Sequence, residues 1–397
     1  MGNRSRTIIA ALFFLQFVVL GITQPVMSLY CRDYLFFSGI QTGIILSSAT
    51  VAALLAPVVT IFVADRIISC ESLLALLQVL AASFLFILPG AQAFFSVFIL
   101  YLLVTVFCHP TNALLNAITF RNLGDKGSSF GSLRVWGTLG WIGAALFLTF
   151  FWLDGNRSFG SIFYVAAVAS ITGALIITAS KRSLASSDTV RNSQSAPLGL
   201  KEGISLLPKE KRHSFAGFLF ICFLVAIQDK YYFLGISPFL KDCGFQEGSI
   251  ISVISVGMMS EVIFMILLRR LLSRFGMPLV MMIGASGAFL RFLIFMFFQG
   301  SRMVVCGVFF HGLTFALYMA VAYIYLDSFS LPGNRAALHQ FYSLVTSGLG
   351  SLAGNLVGGF IFDLTVARSS GYALFWLVPC IISLSVVVLV PKYIRRF

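Results

Sequence analysis

Apolar residues in this chain fall in long continuous runs, and the polar residues gather in short breaks between them. A run of ~20 apolar residues crosses a ~30 Å hydrocarbon core at ~1.5 Å rise per residue. The breaks delimit twelve such runs: 7–30, 38–62, 72–89, 93–118, 131–153, 160–180, 214–237, 248–268, 277–298, 303–326, 337–362 and 372–390. Because the runs are continuous rather than alternating, they predict helices and not barrel strands. Pro25, Pro57, Pro110 and Pro238 sit in or at the ends of spans, as helix-breaking residues do in transporters.

The only long polar segment, KRSLASSDTVRNSQSAPLGLKEGISLLPKEKRH, lies between the sixth and seventh runs. It predicts a flexible linker over 181–213 that joins an N-terminal six-helix bundle, 1–180, to a C-terminal one, 214–397. A weak internal repeat supports two halves. Ala64-Asp65-Arg66 follows the second span, and Arg269-Arg270 with Ser273-Arg274-Phe275-Gly276 follows the eighth. Spans five and eleven are both glycine-rich, with Gly137, Gly140 and Gly143 in one and Gly350, Gly354 and Gly358 in the other. The second set is a small-xxx-small ridge that lets helices approach closely.

Composition agrees. Charged residues are 10% of the chain, against about 25% in soluble domains, and mean hydropathy is +0.97. The chain reads as an all-α membrane protein of twelve transmembrane helices in two bundles. The net charge of +13 does not point to nucleic acid, because the basic residues cluster at the ends of apolar runs. With the linker inside, 19 of the 27 Lys and Arg residues fall on cytoplasmic segments, five on outer loops and three within spans. The positive-inside rule then places the linker and both termini in the cytoplasm of a multi-pass cytoplasmic-membrane protein. The first run is too long for a cleavable signal and lacks a small-residue cleavage site, so it is read as the insertion signal. Seven cysteines lack CxxC or zinc spacing, and most read as packing residues; Cys31 and Cys243 fall near outer loops, where a bridge between them is open but not indicated by the sequence.

Charges inside the spans are few and carry the candidate chemistry. Glu261 sits well within ISVISVGMMSEVIFMILLRR, where a carboxylate is costly unless protonated, paired or facing a wet cavity. It reads as a proton-coupling or substrate-facing group, with a structural ion pair to Arg291 as the alternative. Arg134, Thr138 and Trp141 share a face of span five at spacings of four and seven, a cation, a hydroxyl and an indole suited to a ligand. Interfacial anchoring is the other reading of Arg134. In span seven, Gln228 and Tyr231 share a face, whereas the adjacent Asp229 and Lys230 are expected to point apart, each needing another partner or water. Met258 lies on the face of Glu261, His311 and Phe315 share a face of span ten, and Gln16 is a buried polar candidate in span one. No HExxH, GxxxxGK or GxSxG motif and no metal-ligand set is present, so neither an enzyme nor an ATP-driven pump is expected.

FLQFVVLGITQP, VADRIIS, HPTNALLNAITFRNL, SLRVWGTLGWIG, SEVIFM, FGMPLVMMIGASGAFLRFLIF and NRAALHQFYSLVTSGLG, in this order along nearly the whole chain, resemble the nucleoside:proton symporter family of the major facilitator superfamily. The resemblance implies a major facilitator fold that works as a monomer, a nucleoside as substrate and the proton gradient, with no cofactor, as energy source. It implies that Arg134, Thr138 and Trp141 line the substrate site from one half. From the other it implies Gln228, Tyr231, Met258, His311 and Phe315, with Glu261 coupling the proton. This chain departs from the family pattern at Tyr231, Met258 and Trp141, where asparagine, glutamine and phenylalanine are usual, and at Ala316, where an aspartate is usual. Loss of that aspartate leaves Glu261 to carry coupling largely alone, with Asp229 as the next carboxylate. Related branches carry sugars or aromatic acids, which keeps those substrates as alternatives; a membrane sensor on the same fold is the reading from another class.

Overall fold

The computed structural model describes residues 3–63, 68–123, 130–152, 159–184, 206–331, 334–367 and 371–394. These are helical almost throughout, and eleven helices are long and apolar enough to cross a membrane: α1 Arg4–Tyr34, α2 Gly39–Ala56, α3 Cys70–Gly90, α4 Phe94–Leu123, α5 Phe130–Phe150, α6 Phe159–Lys181, α7 Lys209–Asp242, α8 Glu247–Phe297, α9 Arg302–Asp327, α10 Ala337–Thr365 and α11 Tyr372–Tyr393. The eighth and ninth expected spans are the two arms of the 51-residue α8. It breaks at Gly276, whose φ of 76° and ψ of 164° are outside any helix, two residues before Pro278. The eleven helices therefore supply twelve segments of crossing length.

Helix ends depart from expectation for local reasons. α7 begins at Lys209 and runs unbroken through Asp229 and Lys230 to Asp242, because Lys, Glu and Arg extend a helix at little cost. The Ser69 side chain accepts from the Ser72 amide and so caps α3. Of the expected linker 181–213, residues 185–205 lie outside the described residues, as does the Ala64-Asp65-Arg66 turn.

The chain divides into two compact units, Met1–Arg191 with Gln246–Ser252, and Asn192–Phe245 with Val253–Phe397. Ile9, Phe13, Leu74, Ile118 and Ile177 are fully buried at the centre of the first. Phe218, Val280, Ala316, Tyr325, Leu338 and Val386 are fully buried at the centre of the second. Each of these residues removed from lipid-facing surface contributes packing rather than a hydrophobic drive, so close approach matters more than apolar area. Glycines provide it. A Cβ on Gly140 would fall 2.1 Å from the Phe14 carbonyl oxygen, and one on Gly354 would fall 2.5 Å from the Ile227 carbonyl oxygen. All seven cysteines are free. Burial and the neighbouring Asp242 push the Cys243 thiol up to about 11, so it stays protonated at neutral pH.

Candidate functional site

In the first unit the expected ligand face of α5 rests on α1. The Arg134 guanidinium stands 4.1 Å from the Phe17 ring centre and 5.8 Å from that of Phe13, a cation held on aromatic faces. Thr138 is partly exposed, and Trp141 is buried with its ring against Gly21, where a Cβ would lie 3.2 Å away. The Trp141 indole N–H has no hydrogen-bond partner among the described residues. Gln16 is buried and its Oε1 accepts from Gln78 Nε2 at 3.4 Å, while Ser170 donates to the Gln78 carbonyl at 2.8 Å. It is thus one member of a polar bridge between α1, α3 and α6.

In the second unit α7, α9 and α10 line an open cavity of about 370 Å³. That volume lies in the range of small-molecule sites. Phe315, Tyr323 and Tyr342 offer aromatic walls, Thr346, Ser347 and Ser351 offer hydroxyls, and Asp229 and Lys230 add a carboxylate and an ammonium. Two of the three helices change winding where they line it. Thr314–Met319 in α9 and Leu344–Gly350 in α10 are π-helical turns. A π turn inserts one residue into the α pattern and is frequent at functional sites. Phe315, Tyr318 and Met319 come from the first turn, Thr346 and Ser347 from the second.

The residue pair expected to point apart meets instead. Lys230 Nζ lies 3.3 Å from Asp229 Oδ2, with side-chain exposures of 39% and 15%. Neighbouring positions diverge by about 100° on a helix, but the flexible four-carbon lysine stem swings back across that angle. Gly354 makes room, since a Cβ there would fall 2.9 Å from the Lys230 Cβ.

Phe315 and Asp229 line the cavity, and the other expected residues lie elsewhere. Gln228 and Tyr231 are fully buried against α11: Ser383 donates to Gln228 Oε1 at 2.5 Å, and the Tyr231 hydroxyl donates to the Phe375 carbonyl at 2.7 Å. His311 is buried with its Nδ1 2.8 Å from Nη1 of Arg291. Because arginine only donates, Nδ1 accepts, which makes the imidazole the neutral Nε2–H tautomer. Its ring stacks on Tyr232 at 5.2 Å, and the Arg291 guanidinium covers the same tyrosine at 4.3 Å. Arg291 thus finds its contacts in His311 and aromatic faces. Met258 and Glu261 are half-buried on α8. The helix crossing there is tight: Ser260 donates to the Phe309 carbonyl at 2.6 Å, and a Cβ on Gly312 would fall 2.2 Å from the Glu261 amide nitrogen. Ala316 is fully buried in the apolar core.

Sequence reasoning passed over Tyr323, Tyr342, Thr346 and Ser347. A signal was present in YSLVTS, where Tyr342 and Thr346 are four apart, but α spacing alone does not anticipate the π turn that follows.

A model of the family described as "Nucleoside H+ symporter" matches residues 4–396. The chain belongs to this family. It is 25% identical over 368 residues to the nucleoside permease NupG of Escherichia coli (strain K12), covering 89% of this chain and 87% of that one. It is also 25% identical over 370 residues to the maltose permease of Geobacillus stearothermophilus, covering 90% and 88%. The crystal structure of the nucleoside transporter NupG superposes with a TM-score of 0.85 at 23% identity, over 99% of this chain and 99% of that one. That likeness fixes the fold as the twelve-helix transporter fold of the major facilitator type. The protein is a multi-pass membrane transporter of the nucleoside and proton symport family.

Proposed function

We propose that this protein imports nucleosides together with protons across the cytoplasmic membrane, as a monomer whose termini and linker face the cytoplasm. The observation that carries the substrate reading is the cavity of the second unit. A nucleoside joins a flat heterocycle to a polyhydroxylated sugar, and the cavity pairs aromatic walls with hydroxyl and charged groups. Asp229 and Lys230 together are neutral, which suits an uncharged ligand better than an aromatic acid. Within the first unit, Arg134, Thr138 and Trp141 are assigned to substrate binding, with the Arg134 cation presented on phenylalanine faces. Glu261 is the proton carrier: it is a half-buried carboxylate on a span that is tightly crossed by α9 at Gly312. In alternating access, proton and substrate each bias the same two-state equilibrium, and the gradient drives accumulation through that shared bias.

The deciding experiment is uptake of a panel of labelled nucleosides, with maltose and other sugars as competitors, in a permease-deficient cell. Saturable, pH-gradient-dependent uptake of nucleosides supports the reading. Uptake of sugar with none of any nucleoside overturns it. Orientation is tested by impermeant thiol labelling of single cysteines at Val190 and Asp242 in a cysteine-free background. Labelling at Val190 from outside intact cells contradicts the cytoplasmic linker.

A further inference from the structure

Ala316, on α9, is fully buried in the core and lies outside the cavity wall. The cavity is not left without a carboxylate. Asp229 projects into it from α7, beside Lys230, and three features mark this pair as built for a ligand. First, two adjacent charges within a transmembrane helix are expensive, and the chain turns both toward the cavity rather than burying them in the wall. Second, the glycine ridge of α10 is what accommodates Lys230, through the close approach at Gly354. Third, the residues on either side of the pair are already engaged: Gln228 takes the Ser383 hydroxyl and Tyr231 is bonded to the Phe375 carbonyl. The other groups of the cavity, Phe315, Tyr323, Thr346 and Ser347, carry no formal charge.

We propose that Asp229 is the diol receptor of this transporter, its carboxylate accepting two hydrogen bonds from the vicinal hydroxyls of the ligand sugar while Lys230 is released to donate to a ligand oxygen. The inference rests on the nucleoside reading above and adds a specificity-determining carboxylate to it. A carboxylate offers two oxygens in the spacing that adjacent hydroxyls present, and charge-assisted bonds of this kind are about twice as strong as neutral ones. The 3.3 Å ion pair puts Lys230 at the carboxylate oxygen for which a diol would compete. Within the pair neither charge stands alone in the membrane.

The test is binding of uridine and of 2′,3′-dideoxyuridine to the purified wild type, Asp229→Asn and Lys230→Gln proteins, with maltose as a parallel ligand. Wild type is expected to prefer uridine by roughly ten- to hundredfold, the weight of a charged hydrogen-bond pair. Asp229→Asn should collapse that preference while changing dideoxyuridine affinity less than about threefold. Lys230→Gln should keep the preference, because the carboxylate remains. Equal weakening of both nucleosides by Asp229→Asn, in protein that elutes as a folded monomer, overturns the assignment. If wild type binds maltose and no nucleoside, the nucleoside reading falls, and loss of maltose binding in Asp229→Asn but not in Lys230→Gln still upholds the diol receptor. Binding of neither ligand class overturns both. A misfolded Asp229→Asn is replaced by Asp229→Glu, which keeps both oxygens and should restore the preference in part; unchanged discrimination in a folded Asp229→Ala also overturns the proposal.

Discussion

Both units draw helices together with glycine, and they put that closeness to different use. In the first, the glycines of α5 press on α1 so tightly that a Cβ at Gly140 would collide with the Phe14 carbonyl. The helices are α-wound at that contact and turn to π winding only at their far ends, Tyr30–Tyr34 and Leu148–Trp152, and the buried amides of Gln16 and Gln78 bond each other. The Arg134 cation rests there on aromatic faces. In the second, the Gly350, Gly354 and Gly358 ridge of α10 lies on α7, and directly beside it two π turns open a cavity holding Asp229 and Lys230. The comparison separates two consequences of one device. Close packing with regular helices makes a platform, whereas close packing interrupted by a change of winding makes a site.

Four sets of substitutions break or sharpen this contrast. The largest effect is expected from Glu261→Gln, which mimics the protonated form and keeps the shape. It should abolish accumulation against a gradient while exchange across preloaded vesicles stays measurable. Concentrative uptake by Glu261→Gln under an imposed pH gradient would place coupling outside this carboxylate and make Asp229 the next candidate. The platform is probed by Arg134→Ala and Trp141→Ala. Each should weaken substrate binding by about 1.5–3 kcal/mol, or ten- to hundredfold, in normally inserted protein. Unchanged affinity in either reduces that residue to packing.

Next come the glycine contacts themselves. Gly140→Ala and Gly354→Ala force backbone or a stem carbon to move, and overpacking of that kind costs about 1–3 kcal/mol. A lower thermal midpoint by fluorescence-detected gel filtration is the expected result for both. Gly143→Ala meets only the end of the Phe14 ring, with its nearest atom 3.1 Å away, and should be milder. The smallest effect is expected at the exposed end of α9. Arg335 bonds Asp327 through Nη2 at 2.7 Å and Nε at 3.0 Å, and His339 bonds the same carboxylate at 2.8 Å. Solvent screening makes such pairs weak. Arg335→Gln should leave the midpoint within measurement scatter, and a clear drop would show that this triad braces Tyr323, whose ring stacks on His339 and lines the cavity.

The apolar runs made the fold legible, because a lipid solvent demands long internally bonded helices. The glycines of spans five and eleven marked close approach for the same reason. Other features depend on information that spacing does not carry. Asp229 and Lys230 meet because of side-chain reach, and helix phase is silent about that. Tyr231 and His311 have the chemistry of ligand residues, yet α11 and Arg291 claim them. The eighth and ninth runs meet at Gly276, where the backbone leaves the helical region, so they are two arms joined at a sharp kink.

The π turns also fix how this protein can change over evolutionary time. Each carries one residue more than an α-helix of the same rise would hold, and a single residue sets about 100° of rotation. Deleting one residue within Thr314–Met319 or Leu344–Gly350 would therefore restore a regular helix and turn one flank by more than a quarter of a circle. Tyr323 would sweep away from the cavity with the first deletion, or Tyr342 with the second, while every remaining side chain kept its identity. Insertions and deletions in these two stretches, more than substitutions, are the changes by which a lineage on this scaffold would exchange one ligand surface for another.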